Sequence, residues 1–142
     1  MTVDGEREPV PHPARWAVLY RSSTPFWDAV QRHQLCLQRC GSCQTWLVPP
    51  RPMCPGCLSA DSEWVPVSGR GTVHSWVTYT TSPHPAFTSP HTVILVELDE
   101  GPRLVSMAEG IAAEELEVGM PVDVVFDDVD EHMTLFKFMK AA

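Results

Sequence analysis

"CGSCQTWLVPPRPMCPGC", residues 40–57, decides how the chain is read. It holds four of the five cysteines as two C-x-x-C pairs, Cys40/Cys43 and Cys54/Cys57. A C-x-x-C turn brings two thiolates within reach of one metal ion, and Gly41 and Gly56 ease the tight backbone there. Four thiolates make a closed tetrahedral site, for which zinc is the usual occupant. The gap between the pairs is ten residues, 44–53, shorter than the roughly 15–20 of the common four-cysteine pattern. It suits a zinc ribbon, in which each pair sits on its own turn. Iron in a rubredoxin-like site and a disulfide arrangement are the competing readings. Ligand counting argues against catalysis by the metal. A catalytic zinc keeps a position open for water or substrate, and four protein thiolates leave none. The metal instead replaces a hydrophobic core that so short a segment cannot build. Cys36 is read as a small buried thiol in a strand, not as a fifth ligand.

Working outward toward the N-terminus, residues 1–21 are polar and proline-rich and read as a flexible tail. "STPFWDAVQRHQL" then gives a helix, with Thr24 as N-cap, Pro25 at the first helical position, and Phe26, Trp27 and Val30 near helical spacing. Its two aromatics face either a partner subunit or the protein's own core. "LCLQRC" alternates and enters the cysteine segment as a strand. No apolar run approaches the ~20 residues needed to span a bilayer. "MTVDGEREPVPHPAR" has no apolar segment after a basic start, so a cytoplasmic location with reduced thiols is expected.

Toward the C-terminus, "SEWVPVSGRGTVHSWVTYT" begins a run of strands in which Gly69 and Gly71 mark a bend or bulge. "TSPHPAFTSPH" is a proline-rich loop, and "TVILVELDEGPRLVSMAEG" a hairpin turning at Asp99–Pro102. "IAAEELEVGM" is a short helical turn or exposed connection. "PVDVVFDDVDEHMTLFKFMK" gives two more strands around an acidic turn. The expected architecture is mainly β: an N-terminal helix and zinc ribbon over 22–62, then a five-stranded OB-fold barrel over 63–142. A generic β-sandwich is the alternative.

The net charge of −8 is unevenly placed. Residues 69–142 carry four cations (Arg70, Arg103, Lys137, Lys140) against twelve carboxylates, whereas residues 1–68 balance six against six. Nucleic-acid binding needs the opposite sign, so the acidic half argues against it. No G-x-S-x-G elbow, P-loop, G-x-G-x-x-G or H-E-x-x-H is present. His84 and His91 share the proline-rich loop with Phe87. Loop histidines usually face solvent, and the carboxylates of "DEGPR" and "DDVDE" sit where turns attract them anyway.

The succession "PFWDAV", "LQRCGSCQTWLVPPRPMCPGC", "WVPVSGRGTVHSWV", "HPAF", "VELDEGPRLVS" and "VGMPVDVVF" resembles the "domain of unknown function 35" family, from about residue 22 to 139. The resemblance implies an N-terminal helix, a rubredoxin-like zinc ribbon and a C-terminal OB-fold. It also implies an accessory subunit without catalytic residues of its own. Family members are acyl-CoA-associated and assemble with thiolase-like or sterol-carrier-type partners, including an aldolase of steroid side-chain degradation. The family's zinc ligands map onto Cys40, Cys43, Cys54 and Cys57. Phe26, Trp27, His84, Phe87 and Arg51 are then expected to meet the partner or acyl-CoA, with no nucleic acid and no membrane involved. A nucleic-acid-binding zinc-ribbon/OB module and a rubredoxin-like electron carrier are the alternatives.

Overall fold

The computed structural model describes residues 21–82, 84, 85, 87 and 90–142. Residues 1–20, the bulk of the expected tail, lie outside the described residues.

Helix α1 spans Thr24–Gln31, after a 3-10 turn at Arg21–Ser23. Pro25 sits in its first turn, where the missing N–H leaves no bond unmade. The N-cap is Ser23 rather than the expected Thr24, and it makes no side-chain cap. Its φ of −99° and ψ of −3° continue the 3-10 turn, so the chain enters already coiled rather than extended. Phe26, Ala29 and Val30 fall on one face and are buried. That face packs on β1 (Leu35–Cys40) and β8 (Met133–Lys140), with the Phe26 ring edge-on to Phe136 at 5.4 Å. Phe26 thus packs within its own chain, whereas Trp27 is only partly buried.

Just beyond the helix, His33, with a φ of 58°, turns the chain back toward β1. The His33 ring stacks on Phe126 at 5.2 Å and 2°. Its Nε2 lies 2.9 and 3.0 Å from the two carboxylate oxygens of Asp128. Gln31 Nε2 also donates to the Glu131 carbonyl. The helix is therefore fastened to the acidic turn of the barrel as well as to its core.

β1 is the middle of a three-stranded antiparallel sheet in the order β2–β1–β3, with β2 at Trp46–Leu47 and β3 at Ser62–Val67. A central strand under a helix is covered on both faces, hence the near-continuous burial of Leu35, Cys36, Leu37 and Gln38. β3 pairs with β1 residue by residue, from Leu35 opposite Val67 to Cys40 opposite Ser62.

The chain then enters a closed barrel of β4 (Arg70–Tyr79), β5 (His91–Leu98), β6 (Arg103–Ala108), β7 (Pro121–Asp130) and β8, in the order β4–β5–β6–β8–β7. β6 and β8 run parallel, and the other pairs antiparallel. A 3-10 turn at Ala113–Glu115 joins β6 to β7. Closure of five strands is the OB architecture and removes the open edges a sandwich would keep. Val73, Ile94, Val96, Val122 and Phe138 fill the interior, each contributing roughly 1.5–3 kcal/mol by leaving water. Gly71 permits the β4–β5 pairing, because a Cβ there would sit 2.3 Å from the Glu97 carbonyl oxygen.

Candidate functional site

The two C-x-x-C segments form near-identical turns. In the first, Cys40 N donates to the Thr45 carbonyl and Gln44 N to the Cys40 carbonyl. In the second, Cys54 N donates to the Ser59 carbonyl and Leu58 N to the Cys54 carbonyl. The fifth residue of each turn, Gln44 or Leu58, takes positive φ, 66° and 63°. Ser42 and Ser59 hydroxyls join the turns at 2.9 Å. A Cβ at Gly41 would meet the Asp61 carboxylate at 2.7 Å, so a side chain there would have to displace that exposed carboxylate.

This arrangement brings all four sulfurs within 4.8 Å of one another. Cys40 and Cys57 Sγ are 3.5 Å apart, Cys43 and Cys54 Sγ 3.6 Å. Tetrahedral zinc with Zn–S near 2.3 Å places its sulfurs about 3.8 Å apart, close to these two distances. Cys43 N and Gly56 N point at the Cys40 and Cys54 sulfurs, at 3.5 and 3.4 Å, as the charged form requires. The thiol acidities follow the same geometry. The Thr45 hydroxyl, then its N–H and Cys54, lower Cys43 to about 6. The Cys43 and Ser42 N–H groups lower Cys40. At Cys57 the Ser59 N–H pulls down, but Cys40, burial, Cys43 and Cys54 outweigh it and push the thiol up to about 12. Four sulfurs this close cannot all ionise unless a cation joins them. Cys36 stands apart in β1, buried, with its thiol pushed up by that burial.

The second feature is an apolar groove of about 680 Å³ where α1, the ribbon and the barrel meet. Phe26 and Trp27 form one wall. Leu47, Val48, Pro49 and Pro50 form another, and Leu104, Val105, Met107 and Phe136 the floor. Gln38 holds the proline wall in place. Its Nε2 donates to the Arg51 carbonyl at 2.9 Å and to Ser62 Oγ at 3.0 Å, and its Oε1 accepts from Arg51 N at 2.8 Å. The cations at the rim are both engaged. Arg103 pairs with Glu97 at 3.2 Å, and Lys137 with Asp127 and Glu109 at 3.0 and 3.3 Å. The groove therefore offers apolar contact rather than a phosphate cradle.

Of the residues singled out from the sequence, Phe26, Trp27 and Phe87 come together in this groove. His84 lies behind, edge-on to Phe87 at 6.3 Å, and does not line it. Arg51 follows the wall residue Pro50, and it is its backbone that is fixed. Trp64, Phe136 and the prolines were not foreseen as groove residues. The run "WLVPPRP" between the cysteine pairs was the available signal, because a polar linker needs no such residues. No helix among the described residues is long and apolar enough to cross a membrane.

Two family models match consecutive parts of the chain. The "ChsH2, rubredoxin-like zinc ribbon domain" covers residues 27–63, and the "ChsH2, C-terminal OB-fold domain" residues 64–127. A probable enoyl-CoA hydratase alpha subunit of Thermomonospora curvata is 44% identical over 117 residues, 82% of this chain and 37% of that protein. The 3-oxo-4,17-pregnadiene-20-carboxyl-CoA hydratase alpha subunit of Mycobacterium tuberculosis is 36% identical over 110 residues, 76% of this chain and 34% of that protein. The chain thus spans about a third of the length of these curated relatives. Among solved structures, a chain of the Ltp2-ChsH2(DUF35) aldolase superposes with a TM-score of 0.80 at 38% identity, covering 95% of this chain and 100% of that one. A zinc ribbon of four clustered cysteines, a closed OB barrel and these matches together place the chain in the DUF35 family.

Proposed function

We propose that this protein is the accessory, non-catalytic subunit of a thiolase-like acyl-CoA enzyme, an aldolase or thiolase, and supports that enzyme's acyl-CoA site. The observation that carries this reading is the apolar groove beside a metal site with no position free for substrate. Cys40, Cys43, Cys54 and Cys57 hold a zinc ion, whose role is to fix the ribbon's fold. The ribbon in turn holds the Pro49–Pro50 wall against β6 and β8, so the groove depends on the metal without the metal touching its contents.

In this reading Phe26, Trp27 and Phe87 bury partner surface or the apolar part of the acyl chain, with His84 supporting Phe87 and Arg51 flanking the rim. The thioester chemistry resides in the partner. The polyanionic end of CoA is held there too, since Arg103 and Lys137 are already paired. The aldolase named for the superposed structure supports an aldolase partner. The hydratase names of the two curated relatives support an acyl-CoA context, the second with a steroid acyl group. The acidic barrel gives no support to nucleic-acid binding.

The test is co-expression with a thiolase-like subunit from the same genome, followed by size-exclusion chromatography and an assay on a steroid acyl-CoA. Co-elution and partner activity that depends on this chain are expected. Separate elution with a fully active partner refutes the proposal.

A further inference from the structure

The barrel carries a further apolar surface, outside its core and running on from the groove floor. Strands of a small barrel point alternate residues inward, and their outer positions are ordinarily polar. On β4, β5 and β6 a contiguous group of them is apolar, with polar residues such as Ser75, Glu97 and Arg103 around it. A bulge between Val73 and Ser75 shifts the phase of β4 by one residue. Val73 points inward before it, and Trp76 pairs with the buried Ile94 after it. Val77 and Tyr79 are thereby turned to the outside, where they are 56% and 46% exposed.

Their cross-strand neighbours continue the surface. Val77 lies opposite Val93, and Val93 opposite Met107. Leu95 lies opposite Val105, which is 61% exposed. Val77, Tyr79, Val93, Leu95, Val105 and Met107 therefore form one outward strip across three strands. Val105 and Met107 also line the groove, so strip and groove are one continuous apolar surface. Single exposed apolar residues mean little, but a contiguous patch with a polar border marks a contact site.

The border identifies the occupant. At the edges stand Glu97 with Arg103, and Asp127 and Glu109 with Lys137, three carboxylates against two cations. They belong to a barrel half holding twelve carboxylates and four cations. A second copy of this chain would bring one acidic rim against another, which like-charge juxtaposition disfavours. A different protein with a basic rim around an apolar centre meets both features.

We propose that the outer face of β4–β5–β6 is a docking surface for the thiolase-like subunit, apolar at its centre and basic at its rim, and that it extends the groove contact across the barrel. This rests on the functional reading above. Val77 lies outside the groove and is exposed, so Val77→Lys tests the strip without touching the groove or the core. The full chain and this variant are titrated with the purified thiolase-like subunit at low and high salt, with zinc content and melting temperature measured alongside. The expected result is an unchanged fold, a Kd at least about tenfold weaker for Val77→Lys, and weaker wild-type binding at high salt. Wild-type and Val77→Lys chains that bind equally well overturn the strip and leave the functional reading standing. A wild-type chain that fails to bind overturns the functional reading itself. A wild-type homodimer that Val77→Lys dissociates overturns the choice of occupant.

Discussion

Replacing Gln38 by Met tests how the groove is held. Gln38 is 8% exposed on the central strand of the ribbon, and its amide makes three hydrogen bonds. Two of them, to the Arg51 carbonyl and from the Arg51 N–H, imitate a strand pairing and fix the chain just after Pro50. Methionine keeps the volume and removes every polar atom. Ser62 Oγ can rotate to another partner, but Arg51 loses both backbone partners in a partly buried place. Each unmet group costs about 1–3 kcal/mol, less where water can reach it. Taking the lower part of that range for two groups gives a net loss of about 2 kcal/mol. For a chain of this size that corresponds to a fall in melting temperature of roughly 6–10 °C. Calorimetry of the zinc-loaded protein measures it, and zinc content should stay at one ion per chain. Binding of the thiolase-like subunit should weaken as well, because the Pro49–Pro50 wall is no longer held. A shift below about 2 °C with unchanged binding would show that the wall is positioned by its own packing, and the role given to Gln38 would be wrong.

Three further outcomes are expected. Cys40→Ser, or a strong chelator, should remove the metal and unfold the ribbon, because structural zinc binding is folding free energy; a variant with an unchanged melt and groove would make the metal dispensable. Gly71→Ala places a Cβ against the Glu97 backbone and should cost about 1–3 kcal/mol by forcing β4 and β5 apart, read by denaturant unfolding. The Thr134 hydroxyl and then His33 lower the Asp128 pKa below its ordinary 3.8. The stability this group contributes is complete above that value and is lost as pH falls through the depressed pKa. The acid limb of a melting-temperature profile should therefore flatten in Asp128→Asn, and an unchanged limb would refute the assignment.

Much of this was legible in the sequence, for reasons that are local. The cysteine pairs set their own turns, Pro25 opens the helix, and Asp99–Pro102 and the acidic stretch after Val125 mark the two hairpins of the barrel. What was not legible depends on partners distant along the chain. The pairing of Ser62–Val67 with β1 follows from what lies beside it, not from its own alternation, which reads as the start of the barrel run. β2 is two residues long, too short to show any period. Phe26 and Phe136 are 110 positions apart in sequence and 5.4 Å apart in space, so the groove between them has no signature in either segment. The outward strip is hidden for another reason. Val73, Ser75, Val77 and Tyr79 read as one face of a regular strand, and only the bulge turns the last three outward. Conversely, the histidines of the proline-rich loop stood out as candidate contacts, yet among the described residues of that loop only Phe87 lines the groove.

The measurement that bears most directly on the role proposed for this protein is the activity of the thiolase-like subunit on an acyl-CoA substrate, alone and with stoichiometric amounts of this zinc-loaded chain. If the chain is a required accessory subunit, the two co-elute and activity appears only in the mixture. A partner that is fully active alone, and elutes separately, contradicts that role.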